Sequence, residues 1–361
     1  MNLRGIEVGP VHCASGATNF FGPSPKWWMV KPGHGWWYHP VLHPIGLDFH
    51  AATVTTKTTT LLARAGNMPL EDDGLTPKEW MPACIIVNHG EKAVLNAVSL
   101  SGPGLEALLQ KNIWQRCASP LIISVMSLAR NPADRKAELS EIFRMIASAY
   151  HKAVKQGLRP QWVIQINFSC PNGGLDPNDL VAEVLPILEV SYELLPREIP
   201  TMPKFGPEIH PESVVAISKA KGCDAICVFN TMPFGKHPKW ARDIPPIDWK
   251  KIFGTDDPKE SPMAKRFPGF AGGYSGKELL PFLLAWLPMV RNLGVQTPIC
   301  AGGGILSPDD TARVFSAGAN GASLGSIAML APTQVRRTIR AAYRNASLFA
   351  QNTARYVIRN S

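Results

Sequence analysis

The chain has 361 residues, of which 45% are hydrophobic and 18% charged, a composition typical of a folded globular protein that excludes a disordered chain. This length suits two average domains or one large α/β barrel. The formal net charge is +9, but no dense Lys/Arg run indicates a nucleic-acid-binding surface. We therefore interpret the charge as a generic basic surface that can also attract anionic ligands.

The seven cysteines are widely spaced and form no CxxC pair. This spacing argues against a structural zinc or iron–sulfur site, and no metal-binding residue is predicted. Free thiols favour a reducing compartment. The N-terminal MNLRGIEVGP lacks the apolar core of a signal peptide, and no apolar run reaches membrane-spanning length. These features predict a cytoplasmic protein.

Short apolar runs alternate with helical segments along the chain, as in a buried parallel sheet. The predicted strands cover residues 10–16, 52–60, 121–128, 162–169, 201–206, 224–230, 297–304 and 321–326. The predicted helices cover residues 131–154, 176–195, 211–221, 275–294, 307–318 and 331–352, with Asp176 as a possible cap. About eight strands predict a single-domain (β/α)₈ barrel over residues 1–361, and a doubly wound open sheet is the alternative.

Two stretches interrupt the repeat, and both are longer than ordinary loops. One is an aromatic-rich insertion at about residues 22–50, where KWWMVKPGHGWWYHPVLHP (26–44) carries four tryptophans. The other is a Pro- and charge-rich connection at about 232–271. The aromatic-rich insertion has three possible roles: a packed surface loop or dimer contact, a membrane or quinone contact, or a cover over an active site.

Polar or small residues end nearly every predicted strand. Asn and Ser also cap helices, and a lone buried Cys is commonly a small hydrophobe, so each residue alone has a structural explanation. Together they predict a functional rim, because the C-terminal strand ends of a barrel meet on one face. The residues are Ala14, Ser15, Gly16, Lys57, Thr58, Asn96, Asn167, Cys170, Asn172, Lys204, Asn230, Thr231, Gly303, Gly304, Gly325 and Ser326.

The last two strand ends have a more specific meaning. AGGG (301–304), followed by LGS (324–326), predicts a site for the phosphate of a cofactor. Lys57 and Lys204 suit a cofactor that accepts electrons, since a cation stabilises an anionic reduced flavin. The four asparagines offer donors and acceptors together, which suits a planar cyclic imide.

INFSCPN (166–172), FNT (229–231), GGYSGK (272–277), AGGG and GASLGS (321–326) together resemble the dihydroorotate dehydrogenases from about residue 10 to 330. The resemblance implies an FMN-containing barrel that oxidises dihydroorotate to orotate in pyrimidine biosynthesis. In this family a base takes the C5 proton and hydride passes from C6 to flavin N5. The soluble class uses a cysteine of the SCPN segment as the base, and the membrane-associated class uses a serine. Cys170 is therefore implied to be the base, in a protein nearer the soluble class.

The resemblance also implies roles for the rim. The implied orotate-binding residues are Asn96, Asn167, Asn172, Asn230 and Thr231. The implied FMN-binding residues are Ala14, Ser15, Gly16, Lys57, Thr58, Lys204, Ser275, Gly276, Gly303, Gly304, Gly325 and Ser326.

The chain departs from the family pattern at several points. Ser99 stands where a glycine is expected, the lid after SCPN reads GGLDP, and Lys204 lies in MPKFGPE. Substrate and acceptor therefore stay open. The alternatives are another dihydropyrimidine, as in dihydropyrimidine dehydrogenase or the dihydrouridine synthases, and a barrel retained only for binding. The possible electron acceptors are fumarate, a flavin/iron–sulfur partner subunit, NAD and quinone. A homodimer is expected.

Overall fold

The computed structural model describes residues 1–168 and 177–360, without the side chains of 177–181 and 349–360. In this part of the chain the strands are β1 (Asn2–Leu3), β2 (Ile6–Glu7), β3 (Val11–Cys13), β4 (Val54–Thr55), β5 (Ile85–Asn88), β6 (Ala93–Asn96), β7 (Leu121–Val125), β8 (Trp162–Asn167), β9 (Thr201–Phe205), β10 (Ile226–Val228), β11 (Met232–Pro233), β12 (Gly273–Gly276), β13 (Ile299–Gly302) and β14 (Gly321–Leu324). The α-helices are α1 (Tyr38–Leu42), α2 (Leu105–Gln110), α3 (Pro132–Lys155), α4 (Pro177–Leu194), α5 (Pro211–Ser218), α6 (Trp249–Phe253), α7 (Pro262–Arg266), α8 (Leu279–Asn292), α9 (Pro308–Ser316), α10 (Ile327–Leu330) and α11 (Val335–Asn360).

Eight parallel strands form one sheet in the order β3-β14-β13-β10-β9-β8-β7-β4. A parallel bridge between His12 and Thr53 joins the two edge strands. There the Cys13 N–H donates to the Thr53 carbonyl at 2.9 Å, and the Thr53 N–H donates to the Val11 carbonyl at 2.8 Å. The predicted (β/α)₈ barrel is confirmed, and the open doubly wound sheet is excluded.

Successive side chains along each barrel strand point alternately outward and inward, and this produces two hydrophobic cores. Outward side chains such as Ile123, Ile164 and Val228 join the large core beneath the helices. Inward side chains fill the barrel and form a second cluster, which contains Ile122, Val163, Met202, Cys227 and Cys300. The β1–β2 hairpin adds Leu3, Ile6 and Val8 to that second cluster. The hairpin therefore closes the end of the barrel where the strands begin.

The helices largely follow their sequence signals. Asn131 caps α3, since its side chain accepts a hydrogen bond from the Asp134 N–H, and Pro132 fills the first turn. The prediction of one helix over residues 275–294 is wrong at its start, because α8 begins at Leu279. Ser275 and Gly276 instead belong to β12 and pair with Val94 and Ala93. Pairing with β6 therefore takes Ser275 and Gly276 into a strand, and the helix starts with the apolar run at Leu279.

A four-stranded antiparallel sheet in the order β11-β12-β6-β5 was not expected from the sequence. Asn96 ends β6 of this sheet, so its expected origin on the barrel rim is wrong. The predicted long connection at 232–271 contains β11, α6, α7 and a short 3₁₀ helix at Pro258–Glu260. The aromatic-rich insertion contains α1 and otherwise turns.

No helix in the described part of the chain combines the length and the apolar character that crossing a bilayer requires.

Candidate active site

A cavity of about 770 Å³ opens at the C-terminal ends of the barrel strands. Its volume lies in the range of roughly 300–1,000 Å³ that small-molecule sites occupy. The barrel rim, the antiparallel sheet and the aromatic-rich insertion all contribute to its wall. It thus lies on the face where enzymes of this architecture carry their chemistry.

The inward side chains become more polar as the strands rise toward this cavity. On β8, Val163 belongs to the apolar barrel interior, Gln165 is buried above it, and Asn167 lines the cavity. On β9, Lys204 pairs in register with Asn167 and also lines the cavity. The Asn230 amide nitrogen lies 3.5 Å from the Asn167 side-chain oxygen. Strand pairing therefore brings two amides and an ammonium group together from distant parts of the sequence.

A chain of hydroxyl groups forms the wall beside β3 and β4. Ser15 Oγ lies 2.8 Å from Thr58 Oγ1 and donates to the Thr56 carbonyl at 2.9 Å. Thr58 Oγ1 is in turn 2.8 Å from Ser124 Oγ. Each hydroxyl is held by a neighbour, so the wall presents fixed polar groups to a ligand.

Lys57 is a buried cation at the edge of the cavity. Its Nζ donates to the Ser101 carbonyl and lies 5.2 Å from the centre of the Phe20 ring. Burial lowers the pKa of Lys57 to about 8. A ligand that carries or develops negative charge at this wall would favour the ammonium form and offset the cost of burying it.

The turns after β13 and β14 are built for close backbone approach. Gly303 and Gly304 have φ angles of +120° and +73°, which side chains other than glycine rarely adopt. A Cβ on Gly304 would lie 2.6 Å from the Leu280 nitrogen and 2.9 Å from the Gly276 carbonyl oxygen. A Cβ on Gly325 would lie 2.9 Å from the Ala14 Cβ. The glycines thus keep the turns narrow and their N–H groups open to an anion.

Ser99 is the position where the family pattern led us to expect glycine. Its φ of +57°, followed by a φ of +59° at Leu100, is the left-handed conformation that glycine adopts without strain. Both residues line the cavity. The turn is therefore present although its usual residue is not.

Aromatic side chains complete the mouth of the cavity. The Trp36 Nε1–H donates to the Gly16 carbonyl at 2.9 Å. The Trp37 Nε1–H donates to the Trp80 carbonyl, and the two indole rings are 4.7 Å apart. Met81 follows Trp80 in the lining. None of these residues was assigned to the site from the sequence, although the aromatic-rich insertion offered a signal for Trp36 and Trp37.

Nearly all described residues of the predicted site converge on this one cavity. Those lining it are Ala14, Ser15, Gly16, Lys57, Thr58, Asn96, Asn167, Lys204, Asn230, Thr231, Ser275, Gly303, Gly304, Gly325 and Ser326. Gly276 packs behind Gly304 and is not part of the lining. Cys170 and Asn172 lie outside the described residues.

Comparison with known proteins agrees with this architecture, although no family model matches the chain. The chain is 26% identical over 284 residues to dihydroorotate dehydrogenase A (fumarate) of Lacticaseibacillus paracasei, covering 76% of this chain and 78% of the relative. It is 25% identical over 308 residues to the catalytic subunit of dihydroorotate dehydrogenase B (NAD(+)) of Desulforudis audaxviator, covering 83% and 81%.

A crystal structure of DHODH from Eimeria tenella in complex with ferulenol has the same fold. Its TM-score is 0.61 at 17% identity, over 94% of this chain and 82% of that one. The resemblance of this chain to the dihydroorotate dehydrogenase family, carried by its motifs, is therefore confirmed.

Proposed function

We propose that the protein is an FMN-dependent oxidoreductase acting on a CH–CH donor, and that it oxidises (S)-dihydroorotate to orotate in de novo pyrimidine (UMP) biosynthesis. One observation carries this proposal. Two buried lysines, a set of amides and two glycine turns converge on a single cavity in a barrel whose relatives are named dihydroorotate dehydrogenases. Each group suits a different part of a flavin and its pyrimidine substrate.

The residues along the rim fit FMN. Gly303, Gly304, Gly325 and Ser326 would hold the phosphate through backbone N–H groups, since the turns leave no room for side chains. Ala14, Ser15, Gly16, Thr58, Ser275 and Gly276 would provide the remaining FMN contacts. Lys57 and Lys204 would balance negative charge on the ring. FMN, when bound, would supply the acceptor for the hydride of substrate C6.

The amides would hold the substrate. Asn167 and Asn230 lie 3.5 Å apart at the rim, and Asn96 reaches the same cavity from the antiparallel sheet. The Asn96 amide donates to the Gly273 carbonyl at 3.1 Å, which fixes its orientation. With Thr231 and Asn172, these side chains would hydrogen-bond the N–H and C=O groups of the ring. An uncharged frame of this kind selects a planar imide.

Cys170 would act as the general base that takes the C5 proton. In the sequence it comes three residues after Asn167, which ends β8 and lines the cavity. An ordinary thiol has a pKa of about 8.5, so the thiolate fraction should limit the rate at neutral pH. Turnover should therefore increase as the pH rises through the thiol pKa.

The aromatic-rich insertion would cover the site. Trp36, Trp37 and Tyr38 line the cavity, which supports this role over a loop that only packs on the surface. A cover of indole rings would exclude water while the proton and the hydride leave the substrate. Contact with a membrane remains the alternative for the exposed face of this insertion.

A substrate comparison tests the function. Purified protein should release FMN on denaturation and should reduce an artificial electron acceptor with dihydroorotate. Dihydrouracil is the matched comparison, because it lacks only the carboxylate and represents the dihydropyrimidine alternative. If turnover with dihydrouracil is equal or greater, dihydrouracil and not dihydroorotate becomes the proposed substrate. A protein that contains no flavin would contradict the whole proposal.

The natural electron acceptor, a homodimeric assembly and a cytoplasmic location are not tested by these observations and stay predictions.

A further inference from the structure

Three potential metal ligands come together in the aromatic-rich insertion, away from the active-site cavity. His43, Asp48 and His50 each offer a ligand atom, and these atoms all lie within 4.8 Å of one another. His50 Nδ1 is 2.7 Å from Asp48 Oδ1, and His43 Nε2 is 3.6 Å from Asp48 Oδ2. Donor atoms bound about 2.0–2.2 Å from one metal ion are roughly 3.3–3.6 Å apart in a tetrahedral site, so small side-chain adjustments would bring these three atoms onto one ion.

The surroundings hold these ligands in orientations that suit a metal. His50 Nε2 lies 3.1 Å from the Ser24 carbonyl, so the tautomer with its proton on Nε2 would keep this contact and offer Nδ1 to a metal in place of its contact with Asp48. The His43 ring stacks on Trp27 with centroids 4.8 Å apart. Arg336 of α11 donates to Asp48 Oδ2 at 3.2 Å and to the His43 carbonyl at 3.1 Å. Such outer contacts are typical of ligands in metal sites.

Two further histidines provide an independent observation. A small second cavity is lined by His34, His39, His43 and His50. His39 Nε2 and His34 Nδ1 are buried without a hydrogen-bond partner among the described residues. His34 is more than nine-tenths buried. Unpaired buried ring nitrogens are costly, and a bound ion or its coordinated water would satisfy them.

We propose that His43, Asp48 and His50 bind a divalent transition metal of the Zn²⁺ type, with His39 as the nearest further nitrogen donor. Two imidazoles and one carboxylate suit Zn²⁺ better than Mg²⁺ or Ca²⁺, which prefer several oxygen ligands. The Arg336 cation offsets the single negative charge and further disfavours hard cations. This proposal differs from the sequence-based expectation, which considered cysteines and predicted no metal site.

The site would stabilise one wall of the active-site cavity. Trp36, Trp37 and Tyr38 lie between His34 and His39 in the chain and line the large cavity. The metal would fix the segments on both sides of them and connect the insertion to α11 through Arg336. This structural role does not depend on the proposed reaction, because the metal ligands are not part of the cavity lining.

Metal titration of untagged, chelator-treated protein tests the proposal. We expect about one equivalent of Zn²⁺ in calorimetry and a visible absorption band with Co²⁺. Asp48→Asn and His50→Ala should each weaken Zn²⁺ binding at least ~10-fold, since loss of an outer partner alone costs about 10–100-fold. Zn²⁺ should also raise the melting temperature of the wild type more than that of either variant.

His151→Ala is the matched control, because it removes an exposed histidine on α3 that is far along the chain from the cluster. It should bind Zn²⁺ like the wild type. If the wild type fails to bind Zn²⁺ and Co²⁺, or if Asp48→Asn and His50→Ala both bind them with unchanged affinity, the proposal is wrong. Because Asp48→Asn preserves side-chain shape, it provides the decisive result if His50→Ala fails to fold.

Discussion

The two ends of the barrel differ in what their buried polar groups face. At the closed end, His12 Nε2 donates to the Val8 carbonyl at 3.0 Å, and its Nδ1 lies 3.1 Å from Cys300 Sγ. The ring is enclosed by the protein and has a partner on each side. At the open end, Lys57, Asn167 and Asn230 are directed to a cavity large enough for a ligand.

This difference separates groups whose partners lie within the protein from groups that line a cavity able to hold a ligand. Both His12 and Lys57 are deeply buried, and burial lowers the pKa of each. Only the end that opens to the cavity can recover the cost of burial by binding an anionic partner. Substitutions at the open end should therefore change binding and rate, and those at the closed end should change stability alone.

The largest expected effect is that of Cys170→Ala. Loss of a general base should lower turnover by about 10²–10⁴-fold, while FMN content and melting temperature stay unchanged. Steady-state assays with dihydroorotate, flavin absorbance and thermal unfolding measure these three quantities. Full activity in this variant would show that Cys170 is not the general base.

A second change, Lys57→Met, should have opposite effects on stability and on flavin binding. Below about pH 8 the folded protein contains a buried ammonium, so removing it should raise the free energy of unfolding of the flavin-free protein by up to about 3 kcal/mol. The unfolded chain keeps this proton up to its ordinary pKa of 10.5. The wild type should therefore gain stability relative to the variant between pH 8 and 10.5. Denaturant titrations across this range test the prediction.

The same variant should bind FMN more weakly than the wild type in a fluorescence titration. A gain in stability with unchanged FMN affinity would show that Lys57 does not take part in flavin binding.

At the closed end, His12→Asn should affect acid stability and leave turnover unchanged. Burial lowers the pKa of His12 to about 4, and an unfolded histidine has a pKa of 6.5. The unfolded state thus binds more protons between these values, and the wild type should lose up to about 3 kcal/mol relative to the variant as the pH falls from 6.5 to 4. Denaturant titrations at several pH values measure the loss. If the free energy of unfolding of the two proteins depends on pH in the same way, the lowered pKa of His12 is contradicted.

The smallest effect is expected from the aromatic cover. Trp36→Ala removes a hydrogen bond to Gly16 and should raise KM roughly fivefold, about 1 kcal/mol. Trp28→Ala is the control, since Trp28 is 60% exposed and does not line the cavity. Liposome co-sedimentation should not distinguish the wild type from a variant with alanine at Trp27, Trp28, Trp36 and Trp37. A clear loss of liposome binding in that variant would favour the membrane alternative.

The open end was largely predictable from the sequence because strand alternation and barrel topology fix where strand ends lie. The correct number of strands was enough to predict that Asn167, Lys204 and the glycine turns lie close together. Asn96 was predicted as a cavity residue for the wrong reason, because a hairpin over the barrel carries it. Pairing between β6 and the distant β12 has no local sequence signal.

The closed end and the insertion were less predictable. His12 and Cys300 are 288 residues apart, and neither has a neighbour in sequence that indicates their contact. Likewise, Trp80 meets Trp37 only after folding, and the cluster of His43, Asp48 and His50 depends on turns rather than on helical spacing. Contacts between irregular segments depend on the complete fold, so residue spacing does not reveal them.

The most direct test of the central claim is an anaerobic titration of the purified protein with dihydroorotate, followed by flavin absorbance. If the open end of the barrel holds FMN beside a dihydroorotate site, the oxidised flavin band should bleach, with orotate formed in equal amount to the flavin reduced. Cys170→Ala should contain the same flavin and bleach far more slowly. A wild-type flavin that stays oxidised in the presence of excess dihydroorotate would contradict the account.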